Sequence, residues 1–203
     1  MTVTTPRIPP ARGIVSRVIA AVARRQYGDP VVESTLIYAH DPRRLVAYAR
    51  WNRAVERPAR VPKRLKELAV LKAATVVGCE FCIDIGSAYA RRSGLSDEQL
   101  LALPRARESG LFSEDELLVI DFARAATLTP PEVTDAQVAA LRERFGDKGV
   151  VELCHIVSWE NARARFNAAL EIGAGGFSEG RVCAVPDPPR AAVAEPGEPA
   201  RAA

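Results

Sequence analysis

The chain has 203 residues, enough for one compact domain with appendages, and 48% of them are hydrophobic, so a sizeable core is possible. Four cysteines are too few for a disulfide scaffold at this length, and no apolar run approaches the roughly 20 residues that span a bilayer. The net charge of +3 hides a division: residues 1–66 carry 14 Lys/Arg against 4 Asp/Glu, residues 67–203 carry 14 against 21.

A basic front half can meet an anionic surface, the acidic half of a neighbouring subunit, or only solvent. No helix-turn-helix signature or aromatic interleaving accompanies it, which speaks against nucleic acid. Arg7, Arg12, Arg17, Arg24 and Arg25 interrupt the apolar residues at the start, so no secretory signal is read there and the chain is expected in the cytoplasm.

Residues 14–26 place Ile14, Val15, Val18, Ile19 and Val22 on one helical face. This amphipathic helix makes residues 1–30 a basic extension of a domain at 31–183, packed on that domain or on a neighbouring subunit. Asp41-Pro42 is a cap followed by proline at the first helical position, and opens a helix to about Glu56. Pro62 opens another to about Val77, with Gly78 as its stop. The next runs from about Cys79 to Ser93, stopped at Gly94. Three capping boxes, Ser96/Gln99, Ser113/Glu116 and Thr134/Gln137, start helices at about 97–103, 114–127 and 135–145. A final helix, about 147–172, is apolar on more than one face and is expected at the centre. No alternating strand of useful length appears. Residues 184–203 are rich in Pro and Ala and read as a disordered tail. The fold class is all-α, a multi-helix bundle.

Chemistry concentrates at Cys79 and Cys82. At i and i+3 both sulfurs lie on one helix face, where they can form a disulfide or hold a metal. At a helix N-terminus, free N–H groups and the dipole favour the thiolate. The bland alternative is a pair of small buried hydrophobes. Zinc needs about four ligands. Cys154, Cys183, His40 and His155 offer no second pair, because adjacent Cys154 and His155 diverge by roughly 100°. No metal or other cofactor is expected. Cys154 reads as a core thiol and Cys183 as a thiol near the tail. A thioredoxin-like site would need a strand before Cys79, where the pattern is helical. Glu67 shares a face with Val70, Leu71 and Ala74, which should raise its pKa and suit a general base. Otherwise it is an early-helix Glu favoured by the dipole.

Glu67, eleven residues, Cys79, two residues, Cys82 resembles the E-x11-C-x2-C core of the carboxymuconolactone decarboxylase and alkylhydroperoxidase D superfamily. Glu67-Leu68-Ala69-Val70-Leu71 before the pair, and Ala88 and Gly94-Leu95-Ser96 after it, agree. So does the segment from Val151-Glu152-Leu153 through Glu160 to Leu170. The resemblance spans about residues 30–180. It implies an alkylhydroperoxidase D-like all-α fold assembled as a homotrimer or homohexamer. It makes Cys82 the nucleophile toward a hydroperoxide, Cys79 the resolving thiol and Glu67 the proton carrier. A lipoyl-type or other thiol partner would supply the electrons. The decarboxylase members act on a muconolactone acid without a cofactor and often lack the pair.

The peroxidase motif continues C-x3-H, and here that position is Gly86. A glycine there suggests close approach of a backbone, an aromatic ring or a substrate. His155 is the remaining stand-in for the missing proton shuttle; otherwise it is a core histidine with a local hydrogen bond. Glu160, Asn161, Arg165 and Asn167 read as a buried polar network that fixes helix packing, or as part of a pocket. The expected function is thiol-dependent hydroperoxide reduction or disulfide exchange. The alternatives are a cofactor-free lyase on a small carboxylate bound by Arg165 or another buried Arg, and a redox sensor or structural homologue.

Overall fold

The computed structural model describes residues 5–28, 32–57, 59–178 and 180–188, and no strand occurs among them. The front of the chain forms α1 (Ile14–Tyr27), α2 (Val32–Tyr38) and α3 (Pro42–Glu56). The Asp41 carboxylate accepts the Arg44 N–H at 3.1 Å, so the expected cap opens α3. Then follow α4 (Lys63–Val77), α5 (Glu80–Arg92), α6 (Asp97–Ala102), a 3-10 turn (Leu103–Arg105), α7 (Ala106–Ser109), α8 (Glu114–Thr127) and α9 (Asp135–Ala169). All three capping boxes form reciprocally, at the starts of α6, α8 and α9. Gly146, at φ 68 and ψ 173, breaks α9 at the division read between 145 and 147. The seven residues of α2 were not anticipated; they are too few to establish a period. No helix among the described residues is long and apolar enough to cross a membrane.

The centre of the bundle is α4, not the last helix. Leu68, Ala69, Leu71, Ala73 and Ala74 are fully buried, and α4 packs on α5, α8 and α9. Each buried leucine contributes about 1.5–3 kcal/mol. By contrast α9 buries one stripe, including Leu153, Ile156, Val157 and Ala164, and leaves Val151 and Phe166 exposed. Its apolar breadth reflects contact with α3, α4, α5 and α8 on several sides rather than a central place.

Two buried lysines tie α4 to its surroundings. Lys66 Nζ donates to Glu152 Oε1 at 2.8 Å and to the Arg57 carbonyl at 2.9 Å. Lys72 Nζ donates to Asp187 Oδ2 at 2.7 Å and to the Leu103 carbonyl at 3.2 Å. The second pair corrects the tail boundary. Ala184 is buried and the Asp187 N–H donates to the Thr75 carbonyl at 3.0 Å, so 184–188 lies against α4. Buried Lys72 requires a counter-charge, which composition alone did not show. Residues 189–203 lie outside the described residues.

At the end of α4, Gly78 adopts the left-handed conformation (φ 76, ψ 29) that a residue with a side chain resists. This turns the chain at once into α5, and the two helices pack side by side. Glu67 of α4 and Cys82 of α5 thereby reach the walls of one cavity. The opposite side of α5 is held by Asp84, whose carboxylate accepts the N–H groups of Gly176 at 2.7 Å, Phe177 at 3.0 Å and Ser178 at 2.9 Å.

Candidate functional site

Cys79 is the N-cap of α5, and its Sγ accepts the Cys82 N–H at 3.2 Å. Both thiols are free, and their residues are only 2% and 5% exposed. They are not equivalent. The hydrogen bond from the Cys82 thiol, together with the Cys82 N–H, lowers the Cys79 pKa against the opposing effect of burial. The same thiol hydrogen bond, then burial and the nearby Glu160 carboxylate, push the Cys82 pKa well up. The first negative charge of the pair therefore settles on Cys79, at the positive end of α5. Cys82, however, is the thiol that lines the cavity.

That cavity holds about 690 Å³ and is walled by α1, α2, α3, α4, α5 and α9. Val18, Ile19 and Val22 come from α1, Tyr38 from α2, Tyr48 and Asn52 from α3, Glu67 from α4, Phe81, Cys82 and Tyr89 from α5. From α9 come Ile156, Glu160, Arg163 and Asn167, spaced four, three and four so that they share one face.

Polar groups form two chains on this wall. Tyr38 donates its hydroxyl to Asn167 Oδ1 at 2.9 Å, and Asn167 Nδ2 donates to Cys82 Sγ at 3.4 Å. Arg163 Nε donates to Glu160 Oε2 at 2.9 Å, and its Nη2 donates to the same oxygen. Arg163 Nη1 reaches Asn52 Oδ1 at 2.8 Å, and Glu56 lies 3.6 Å away. Burial opposes the Arg163 charge, but Glu160 and its other acidic neighbours hold it firmly protonated. Burial pushes Tyr48 up to about 12 and Tyr38 further, so both phenols stay neutral.

Glu67 is half-buried on the cavity wall, and burial raises its pKa against the pull of Lys63. The expected direction from its apolar face is the one found. Gly86 is buried on the same wall; a Cβ there would lie 3.1 Å from Leu71 Cδ1, so its role is the close passage of α5 over α4.

Three expectations require correction. His155 is exposed on the outer side of α9, beside the Trp51 ring at 5.6 Å, and does not line the cavity. One residue, about 100°, separates it from the inward row that begins at Ile156. Arg165 also faces elsewhere, toward Asn161 and the Thr127 carbonyl. Of the polar residues singled out on α9, Glu160 and Asn167 line the cavity, whereas Asn161 bonds Thr127 Oγ1 at 2.9 Å. Cys154 is exposed rather than in the core. Tyr38, Tyr48, Asn52 and Arg163 were not anticipated. The spacing of Arg163 from Glu160 and Asn167 was the one signal available; the others come from helices distant in sequence.

Residues 43–125 match the model of the carboxymuconolactone decarboxylase family. YnjA of Escherichia coli K12 is 39% identical over 124 residues, which are 61% of this chain; the match spans just under two thirds of YnjA, 65% of its length. Among solved structures, the debrominase Bmp8 in complex with 2,3,4-tribromopyrrole superposes with a TM-score of 0.70 at 18% identity, covering 84% of this chain and 92% of that one. The alkylhydroperoxidase AhpD core of a peroxidase-related protein from Ralstonia eutropha JMP134 gives 0.68 at 18% identity, covering 85% and 94%. The matched region begins in α3, ends in α8 and contains Glu67, Cys79 and Cys82; over it the chain is similar to the carboxymuconolactone decarboxylase family, and its fold is alkylhydroperoxidase D-like.

Proposed function

We propose that the protein is a thiol-dependent reductase of organic hydroperoxides. The observation that carries this reading is the placement of Cys82 on an apolar cavity with Cys79 behind it at the helix N-terminus. Cys82 attacks the terminal oxygen of the hydroperoxide; an S–O bond forms and the O–O bond breaks. The Cys82 proton passes to the Glu67 carboxylate, which delivers it to the departing alkoxide. The Cys79 thiol then attacks the Cys82 sulfenic acid, forming the disulfide and releasing water. The sum is one dithiol and one hydroperoxide converted to one disulfide, one alcohol and one water. An external dithiol, of lipoyl type or on a partner protein, returns the pair to the reduced state. Glu67 suits the proton transfer because burial keeps its proton available at higher pH than an ordinary carboxylate. His155 has no part in this scheme.

Val18 and Val22 of α1 and Val46 of α3 leave exposed apolar surface at the cavity, and Val15 and Trp51 add more on the same two helices. This supports self-association into the trimer or hexamer the family resemblance implies, and sedimentation analysis tests it. The lyase reading has less support: Arg163, the buried guanidinium at the cavity, is already engaged by Glu160 and Asn52.

The test is consumption of cumene hydroperoxide with a dithiol reductant, comparing wild type with Cys82→Ser. The reading expects turnover in the wild type alone. Equal rates in both would remove it. A halogenated pyrrole in a parallel assay separates hydroperoxide reduction from the chemistry named for Bmp8.

A further inference from the structure

Glu160 carries an oxygen that the site does not use. Its Oε2 is held by Arg163, and its residue is 2% exposed, yet its Oε1 has no hydrogen-bond partner among the described residues. The other polar groups around it are committed. Asn167 joins Tyr38 to Cys82, and Arg163 is shared by Glu160, Asn52 and Glu56. Glu67 adds a second carboxylate to the same cavity wall. Lys66 is turned to Glu152 and the Arg57 carbonyl, while Arg53 and Lys63 stand exposed at the rim. The inner polar wall thus holds several acceptors, and each nitrogen of its central cation already donates to Glu160 or Asn52. Apart from Ser34 and Thr35, the rest of the wall is mostly aliphatic and aromatic. Glu160 lies in α9, beyond residues 43–125 that match the family model.

A buried carboxylate oxygen without a donor is costly, and a matching O–H or N–H from a ligand relieves that cost. A ligand carboxylate would instead meet the Glu160 carboxylate, with Arg163 already bonded to it and Arg53 and Lys63 out at the rim. We infer that the cavity selects small, largely apolar, ring-sized molecules that present one neutral O–H or N–H donor to Glu160, and discriminates against carboxylates. An aromatic hydroperoxide fits this class, because its terminal O–H is the donor; a dialkyl peroxide or a peroxy acid salt does not.

The inference rests on the cavity being the reactive site, but its test reads binding without turnover, so the two can fail separately. The reduced full-length protein is titrated at neutral pH with 2-naphthol, 2-methoxynaphthalene and 2-naphthoate, following ligand fluorescence. A hydrogen bond to a charged acceptor predicts 2-naphthol binding at least about tenfold tighter than its methyl ether, with 2-naphthoate weakest. Equal binding of 2-naphthol and the ether, or tightest binding of 2-naphthoate, overturns the inference. Glu160→Gln should reduce the naphthol-to-ether preference to within about threefold; an unchanged preference overturns the assignment to Glu160. If that variant does not fold, the three-ligand series on the wild type still decides. Loss of peroxide turnover with the ligand order intact would remove the proposed reaction and leave this inference standing.

Discussion

The helix α5 stands between two buried carboxylates that are treated in opposite ways. On one side, Asp84 receives three backbone N–H groups from 176–178, and the Ser178 hydroxyl bonds the Asp84 carbonyl at 3.2 Å. On the other, Glu160 shares one oxygen with Arg163 and leaves the other without a donor. Both groups are almost wholly buried. The satisfied carboxylate closes a loop onto the bundle. The unsatisfied one lies on the wall that holds Cys82, where leaving a polar atom unpaired has a use. Burial and charge alone do not distinguish the two roles; the count of donors does.

The largest expected effect separates the chemistry from the scaffold. Cys82→Ser should lower dithiol-dependent hydroperoxide turnover by more than about a hundredfold, close to 3 kcal/mol in the barrier, while the urea midpoint stays near that of the wild type. The converse change lies on the other side of the helix. Asp84→Ala strips the acceptor from three N–H groups and should cost about 3 kcal/mol in urea unfolding, with cysteine reactivity retained in the folded fraction. Glu160→Gln should cost less, about 1 kcal/mol, because its amide oxygen can still accept from Arg163; a loss as large as that of Asp84→Ala would erase the contrast between the two carboxylates.

The smallest effect is a slope. The folded-state pKa of Glu67 is raised, chiefly by burial, so the folded protein binds more protons than the unfolded chain between the ordinary carboxylate pKa and that raised value. Its contribution to stability is complete below the unfolded pKa and is lost as pH rises through the folded one. Glu67→Gln should flatten stability against pH in that window and remove the matching limb from the turnover profile. Unfolding measured across that range, with identical slopes in the two proteins, would contradict the raised pKa.

Much of this bundle was readable because helix starts are local. Asp41, Ser96, Ser113 and Thr134 each cap a helix within four residues of chain, and Gly78 and Gly146 mark breaks by their own conformation. Glu67, Cys79 and Cys82 were readable from spacing, since α4 and α5 join through Gly78 and Cys79 alone. What escaped depends on residues distant in sequence. Tyr38 meets Asn167 across 129 positions, and Lys72 meets Asp187 across 115. His155 was chosen by chemical type, but helical register decides which residues enter the cavity, and register favours Glu160, Arg163 and Asn167. Asp187 sits in a Pro-rich stretch whose composition suggests disorder, and the buried Lys72, with the Thr75 carbonyl and the Ser87 hydroxyl, holds the chain there.

The most direct test of the account is the mass of the reduced protein after one equivalent of cumene hydroperoxide, with peptide mapping of the product. The account predicts loss of two hydrogens per chain and a Cys79–Cys82 disulfide, with Cys82→Ser giving no such product. Consumption of the hydroperoxide with both thiols still reduced, or the same product in Cys82→Ser, would contradict it.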